Sequence, residues 1–194
     1  GVVLNVGSAH LGEFGSRENI AQAKGELVEA LPADGIAVLN ADDDLVNAMA
    51  PRTKARVVRF SANGNTAADY YATDVELDAV ARASFIMHTP KGDPQRVTLN
   101  VFGAHQVGNA LAAAAVGIES GMYAATVAQA LSDAHSVSVN RMDVNTRADG
   151  VTVINDAYNA NPESMRAAIA ALGYTAAARP GVRPLAGPGG VGGP

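Results

Sequence analysis

An α/β fold, a mostly parallel sheet with crossover helices, is predicted by three observations on this sequence. Short apolar runs at Val2-Val3-Leu4, Ile36-Ala37-Val38-Leu39, Val57-Val58-Arg59-Phe60 and Val151-Thr152-Val153-Ile154 read as buried strands. Helical stretches alternate with them, as crossover connections between parallel strands require. Polar and glycine-rich segments stand where the strands end, the edge at which open α/β sheets bind their ligands.

Taken in order, Val2-Val3-Leu4 feeds the Gly/Ser-rich loop Asn5 to Gly15, with His10 inside it, and Ser16 reads as the N-cap of a helix that carries Lys24. His10 is expected in the crevice, although a lone loop histidine more often fills a structural role than a ligand role. After the second strand, Asn40-Ala41-Asp42-Asp43 offers either a helix cap, by Asp42 or Asp43, or oxygens toward a ligand. Ser84 to Thr89 and Arg96 to Val101 flank the turn-forming Pro90-Lys91-Gly92-Asp93-Pro94, an antiparallel hairpin inserted into the α/β core. The alanine-rich run Asn109 to Gly121 has strong helix propensity, and its small side chains permit close packing on a sheet. His105, Gln106 and Asn109 open that helix, where unpaired amides face outward. Asp156 ends a strand expected to be buried, and Asn161-Pro162-Glu163 signals the N-cap of a helix running from Glu163 to Leu172. The final stretch, Gly181 to Pro194, holds six Gly and three Pro and is expected to be disordered, an abrupt change that suggests a truncated or frame-shifted reading.

Composition narrows the function. Hydrophobic residues make up 48% and charged residues 17% of the 194, as in a globular chain with a sizeable core. A net charge of -5 argues against a general nucleic-acid role. No apolar run approaches the roughly 20 residues of a membrane-spanning helix, so neither nucleic acid nor membrane is an expected partner, and the cytoplasm is the expected location. With no Cys, any metal must be held by oxygen or imidazole.

Six blocks in order, Asn5-Val6-Gly7-Ser8-Ala9-His10, Ala23-Lys24-Gly25-Glu26, Asn40-Ala41-Asp42-Asp43, Gly103-Ala104-His105-Gln106-Val107-Gly108-Asn109, Asn140-Arg141-Met142 and Asn155-Asp156-Ala157-Tyr158-Asn159-Ala160-Asn161-Pro162, resemble the Mur ligase family. Ser8 to Phe14 and Tyr158 to Asn161 favour the members that add D-alanyl-D-alanine to UDP-N-acetylmuramoyl-tripeptide over those that add one amino acid or a glutamyl tail. The resemblance implies ATP and Mg²⁺ as cofactors. It implies that His10 binds the magnesium together with Lys24 in carbamylated form, since a lysine carbamate is chemically a carboxylate and suits a hard cation. Arg141 matches an arginine that reaches the ATP phosphates, a task fitted to an always-charged fork of donors. His105 and Asn109 match the adenine contacts, with Gln106 where asparagine is usual; Asp156 matches the residue that binds the ribose; Tyr158, Asn159 and Asn161 face the substrate crevice. His10, Lys24 and Arg141 are therefore the implied catalytic set.

The same resemblance divides the chain into part of a central ATP-binding domain at 1–156, the start of a Rossmann-like C-terminal ligase domain at 157–180 and the tail at 181–194. A phosphate loop of the form G-x-x-x-x-G-K-[ST] is absent from the sequence. The chain is accordingly expected to begin mid-domain and to be inactive alone, and the full-length enzyme to be a monomer acting on small molecules. A non-catalytic remnant that binds nucleotide weakly is the competing reading.

Overall fold

The computed structural model describes residues 1–7, 15–135, 143–158, 160 and 162–177. Six strands form one sheet in sequence order: β1 (Val2–Val3), β2 (Ile36–Asn40), β3 (Arg56–Ser61), β4 (Tyr70–Leu77), β5 (Arg82–His88) and β6 (Gln95–Phe102). β1 to β4 are parallel, while β5 is antiparallel to both of its neighbours. Because Phe60 and Ser61 at the end of β3 pair with Tyr70 and Tyr71 at the start of β4, the β4–β6 meander extends past the carboxyl edge of the parallel strands. The expected hairpin is β5–β6; β4 lengthens it into a meander continuous with the parallel sheet.

Alternation within β2 explains the two-sided burial. Val38 enters one core with Val58, Phe60, Phe85, Met87 and Leu99, while Ala37 and Leu39 enter the other with Val3, Val6, Ile20, Val28, Val46 and Met49. The first core is covered by α3 (Gln106–Glu119) and α4 (Ala124–Asp133), the second by α1 (Arg17–Glu29) and α2 (Asp44–Asn47). Small residues set the approach of α3: a Cβ on Gly108 would stand 3.8 Å from Phe60, and one on Gly117 would stand 3.2 Å from Val127 of α4. Ser16 caps α1 by accepting from the Asn19 amide at 3.2 Å, as its position predicts.

One strand departs from expectation. The run at 151–154 is not part of the parallel sheet: β8 (Thr152–Asn155) pairs antiparallel with β7 (Asp143–Thr146) in a separate two-stranded ribbon. Nor is it buried, since Val153 is 48% exposed. Apolar content alone does not distinguish a parallel core strand from a half-exposed ribbon. The final helix, α5 (Pro162–Ala177), packs Ala168 and Ala171 with Ile154, Ala81 and Phe102 at the far tip of the meander.

A polar knot closes the first core. The wholly buried Tyr70 donates its hydroxyl to Glu119 at 3.0 Å, and Arg56 pairs with the same carboxylate, joining β3, β4 and the end of α3. The hydrogen bond from Arg56, with that from Tyr70, holds the Glu119 pKa below its ordinary 4.5. A depressed carboxylate stabilises the fold fully above its unfolded value and ceases to do so as pH falls through the folded value. Glu119→Gln is therefore expected to lower the melting temperature at pH 7 and to shrink that deficit below pH 4.5, measured by thermal unfolding across pH 7 to 3. A deficit that stays constant over that range would remove the titration from the account.

Candidate functional site

Three strand ends and one helix start line the carboxyl edge. The chain leaving β1 is fastened on both sides: Leu4 O accepts from Asn40 Nδ2 at 2.8 Å, the Val6 amide donates to Asp43 Oδ2 at 2.7 Å, and Val6 O accepts from Arg17 Nη2 at 2.7 Å. Lys24 reaches back from α1 and donates Nζ to Asn5 O at 2.7 Å. The lysine is thus brought to the end of β1, where the sequence placed it. His10 lies outside the described residues, as do Arg141, Asn159 and Asn161.

Asp42 and Asp43 divide the work that the sequence left open. Asp43 caps α2, accepting from the amides of Leu45 and Val46, while also taking the Val6 amide. Asp42 instead organises the loop after β3: it accepts from Ser61 Oγ at 2.6 Å and from the amides of Ala62 and Asn63. Ser61, fully buried, then accepts from the amides of Asn63 and Asn65. Neither Ser61 nor this loop carried a signal in the sequence, because its partner lies about 20 positions away. With their oxygens committed to these donors, neither aspartate is a ready metal ligand, and among the described residues no group of three or more His, Cys, Asp or Glu could hold a metal ion. An unmodified lysine ammonium is a donor and offers a cation nothing; a carbamate on Nζ would supply oxygen ligands and still leave one N–H for Asn5.

The other wall is the start of α3. Gly103 has φ +102°, a backbone that disfavours side chains, and a Cβ there would stand 2.6 Å from the His105 ring. His105 therefore lies folded over Gly103. His105 is exposed by accessible surface, yet the protein packed around it pushes its pKa below the usual histidine value, against an opposing pull from the Asp156 carboxylate. Asn109 Nδ2 donates to Gln106 Oε1 at 2.9 Å, so the two amides form one joined polar surface on the first turns of α3. Gln106 thus braces the Asn109 side chain at the start of α3. A Cβ on Gly108 would stand 3.9 Å from Ala62, which links this wall to the Asp42 loop. Contacts consequently run from Lys24 to Asn5, from the adjoining Leu4 to Asn40, and on through Asp42 and Ala62 to Gly108 beside Asn109. Asp156 is half-buried beside His105, and Tyr158 is 59% exposed after it.

Comparison with known proteins gives this arrangement its context. Residues 1–117 match the family model of the Mur ligase middle domain. The chain is 58% identical over 176 residues to the UDP-N-acetylmuramoyl-tripeptide--D-alanyl-D-alanine ligase of Mycobacterium bovis, covering 91% of this chain and 34% of that protein. Among solved structures it resembles MurF from Acinetobacter baumannii, with a TM-score of 0.81 and 35% identity over 89% of this chain and 37% of the other. It also resembles the MurF ligase of Thermotoga maritima in complex with ADP, with a TM-score of 0.72 and 28% identity over 88% of this chain and 38% of the other. The chain spans about a third of the length of the curated relatives it matches.

The His105–Asp156 pair gives a direct test of the site's electrostatics. Burial lowers the His105 pKa from the ordinary 6.5, and the Asp156 carboxylate opposes that shift. Since the Asp156 charge favours the imidazolium, Asp156→Asn is expected to move the titration of His105 to still lower pH, read from its ring resonances by NMR. An unmoved midpoint would show that the carboxylate does not act on this ring.

Proposed function

Because the chain belongs to the Mur ligase family, we propose that it forms the nucleotide-handling part of an ATP-dependent ligase that adds D-alanyl-D-alanine to UDP-N-acetylmuramoyl-tripeptide in cytoplasmic peptidoglycan precursor synthesis. The observation that carries this reading is the 58% identity to the mycobacterial ligase of that name, together with a Lys24 seated at the strand end. ADP in the Thermotoga maritima relative supports the nucleotide.

In the proposed reaction the substrate carboxylate takes the γ-phosphoryl group of ATP, ADP departs, the D-alanyl-D-alanine amine attacks the acyl carbon and phosphate leaves. Mg²⁺, held through His10 and the carbamate of Lys24, would offset the phosphoryl charge. A carbamate on Lys24 would contribute an anionic oxygen pair, held by the bond that Nζ makes to Asn5 O. Arg141 binds the phosphates. Asn109, braced by Gln106, and His105 serve the adenine side, Asp156 the ribose hydroxyls, and Tyr158, Asn159 and Asn161 the peptide substrate. Residues 1–156 would belong to the central domain and 157–180 to the beginning of the next.

The proposal is tested in a protein of the relatives' full length that contains this segment. Phosphate release is expected to require both the tripeptide precursor and D-alanyl-D-alanine, to vanish in Lys24→Ala and to return in part with added short carboxylic acids. The isolated 194-residue chain is expected to turn over neither substrate. Release that is satisfied by a single amino acid in place of the dipeptide would assign the chain to a different ligase of the family, and near-normal turnover in Lys24→Ala would overturn the role of that lysine.

Asp156 is the position at which binding and folding separate most cleanly. Losing a hydrogen bond to a charged group costs about 1.5–3 kcal/mol, so Asp156→Ala in the full-length enzyme is expected to weaken ATP binding roughly ten- to a hundredfold by calorimetry, with little change in melting temperature. Unchanged affinity, or a loss that tracks unfolding, would make Asp156 structural.

A further inference from the structure

We propose that Arg52 is a positioning residue for Lys24, clamping the middle turn of α1 across the gap left by Gly25. The inference rests on the reading of Lys24 as the carbamylated lysine. The Arg52 guanidinium makes three hydrogen bonds to α1: Nε to Glu29 Oε1 at 2.9 Å, Nη1 to Ala21 O at 3.3 Å and Nη2 to Gln22 O at 3.0 Å. Ala21 O and Gln22 O are the carbonyls that a regular helix pairs with the amides of residues 25 and 26. The clamp therefore grips the turn that presents Lys24.

Gly25 is what admits it. A Cβ at this position would stand 1.8 Å from Nη1 and 2.1 Å from Cζ of Arg52, so the guanidinium occupies the space of a side chain. Glycine within a helix costs about 1 kcal/mol relative to alanine. Gly25 is not among the residues with positive φ, so its missing Cβ has a packing reason and not a conformational one. At its other end Arg52 is anchored in the 3-10 turn Ala50–Arg52, directly after the buried Met49, which belongs to the same core as Ala21 and Val28 of α1. The backbone of Lys24 is thereby referenced to the core, and the Asn5 carbonyl fixes the other end of its side chain. Lys24 loses little freedom when its amine, in neutral form, attacks carbon dioxide to form the N–C bond and releases a proton to solvent.

The test uses the full-length protein with ¹³C-labelled bicarbonate, reading the lysine carbamate carbon by NMR beside kcat, KM and melting temperature. In Arg52→Gln the bicarbonate concentration for half occupancy is expected to rise about tenfold or more, as for groups that orient a ligand from behind. kcat should fall in step, KM for ATP should stay within about twofold, and Arg52→Lys should be intermediate. Gly25→Ala, which evicts the guanidinium while keeping its charge, should reproduce the shift. Glu29→Ala removes only an exposed acceptor of the clamp and should shift occupancy less in the same direction, which keeps the question answerable if the other variants fail to fold. Wild-type bicarbonate dependence in any folded variant among Arg52→Gln, Gly25→Ala and Glu29→Ala overturns the role of Arg52 and leaves that of Lys24 standing. A wild-type protein with no carbamate signal overturns both.

Discussion

The carboxyl edge of this sheet depends on four consecutive residues, Asn40 to Asp43. Their side chains collect the loop leaving β1, the start of α2 and the loop leaving β3 onto one short segment. Loops at a strand edge otherwise carry backbone groups that only water would satisfy, and a water-satisfied loop has no single geometry. Here two carboxylates receive six donors: the amides of Val6, Leu45 and Val46 on Asp43, and the Ser61 hydroxyl with the amides of Ala62 and Asn63 on Asp42. Hydrogen bonds to an ionised acceptor are the stronger kind, so a segment of four residues is able to hold the edge.

That arrangement also bears on the charge of the edge. The net charge is -5, and the Asp42 and Asp43 side chains stand at this edge. Donors directed onto Asp42 and Asp43 disperse those charges into the backbone. The aspartates act as frame, and Lys24 enters that edge from α1 with its Nζ on Asn5 O.

Helix placement completes the frame. α3 crosses beneath β2, β3 and β4 because its inward positions are Val107, Ala110, Leu111, Ala114 and Ala115, small enough for a close approach, with Gly108 next to Phe60 and Ala62. Its first turns thereby overlie the Asp42 loop while its last residue, Glu119, is secured by Arg56 and Tyr70 at the opposite end.

The sequence by itself determined the local features: strands at 36–39 and 57–60, the Ser16 cap, a helix opened by His105 and Asn109, the β5–β6 hairpin and a lysine on the helix after β1. Each follows from residue propensity or from a period of two or 3.6, and such preferences act over a few positions. Its ordered blocks also identified the Mur ligase family. Only the tertiary structure decided that β4 makes the hairpin a meander, that 151–154 pairs antiparallel with 143–146 outside the main sheet, that Asp42 serves Ser61 and Asp43 serves Val6, and that the Arg52 guanidinium fills the space beside Gly25. The pairings made by Asp42, Asp43 and Arg52 join residues from about 20 to 37 positions apart on separate elements. A hydrogen bond between distant segments leaves no periodic trace in the chain, because its partner is chosen by the path the backbone takes in space.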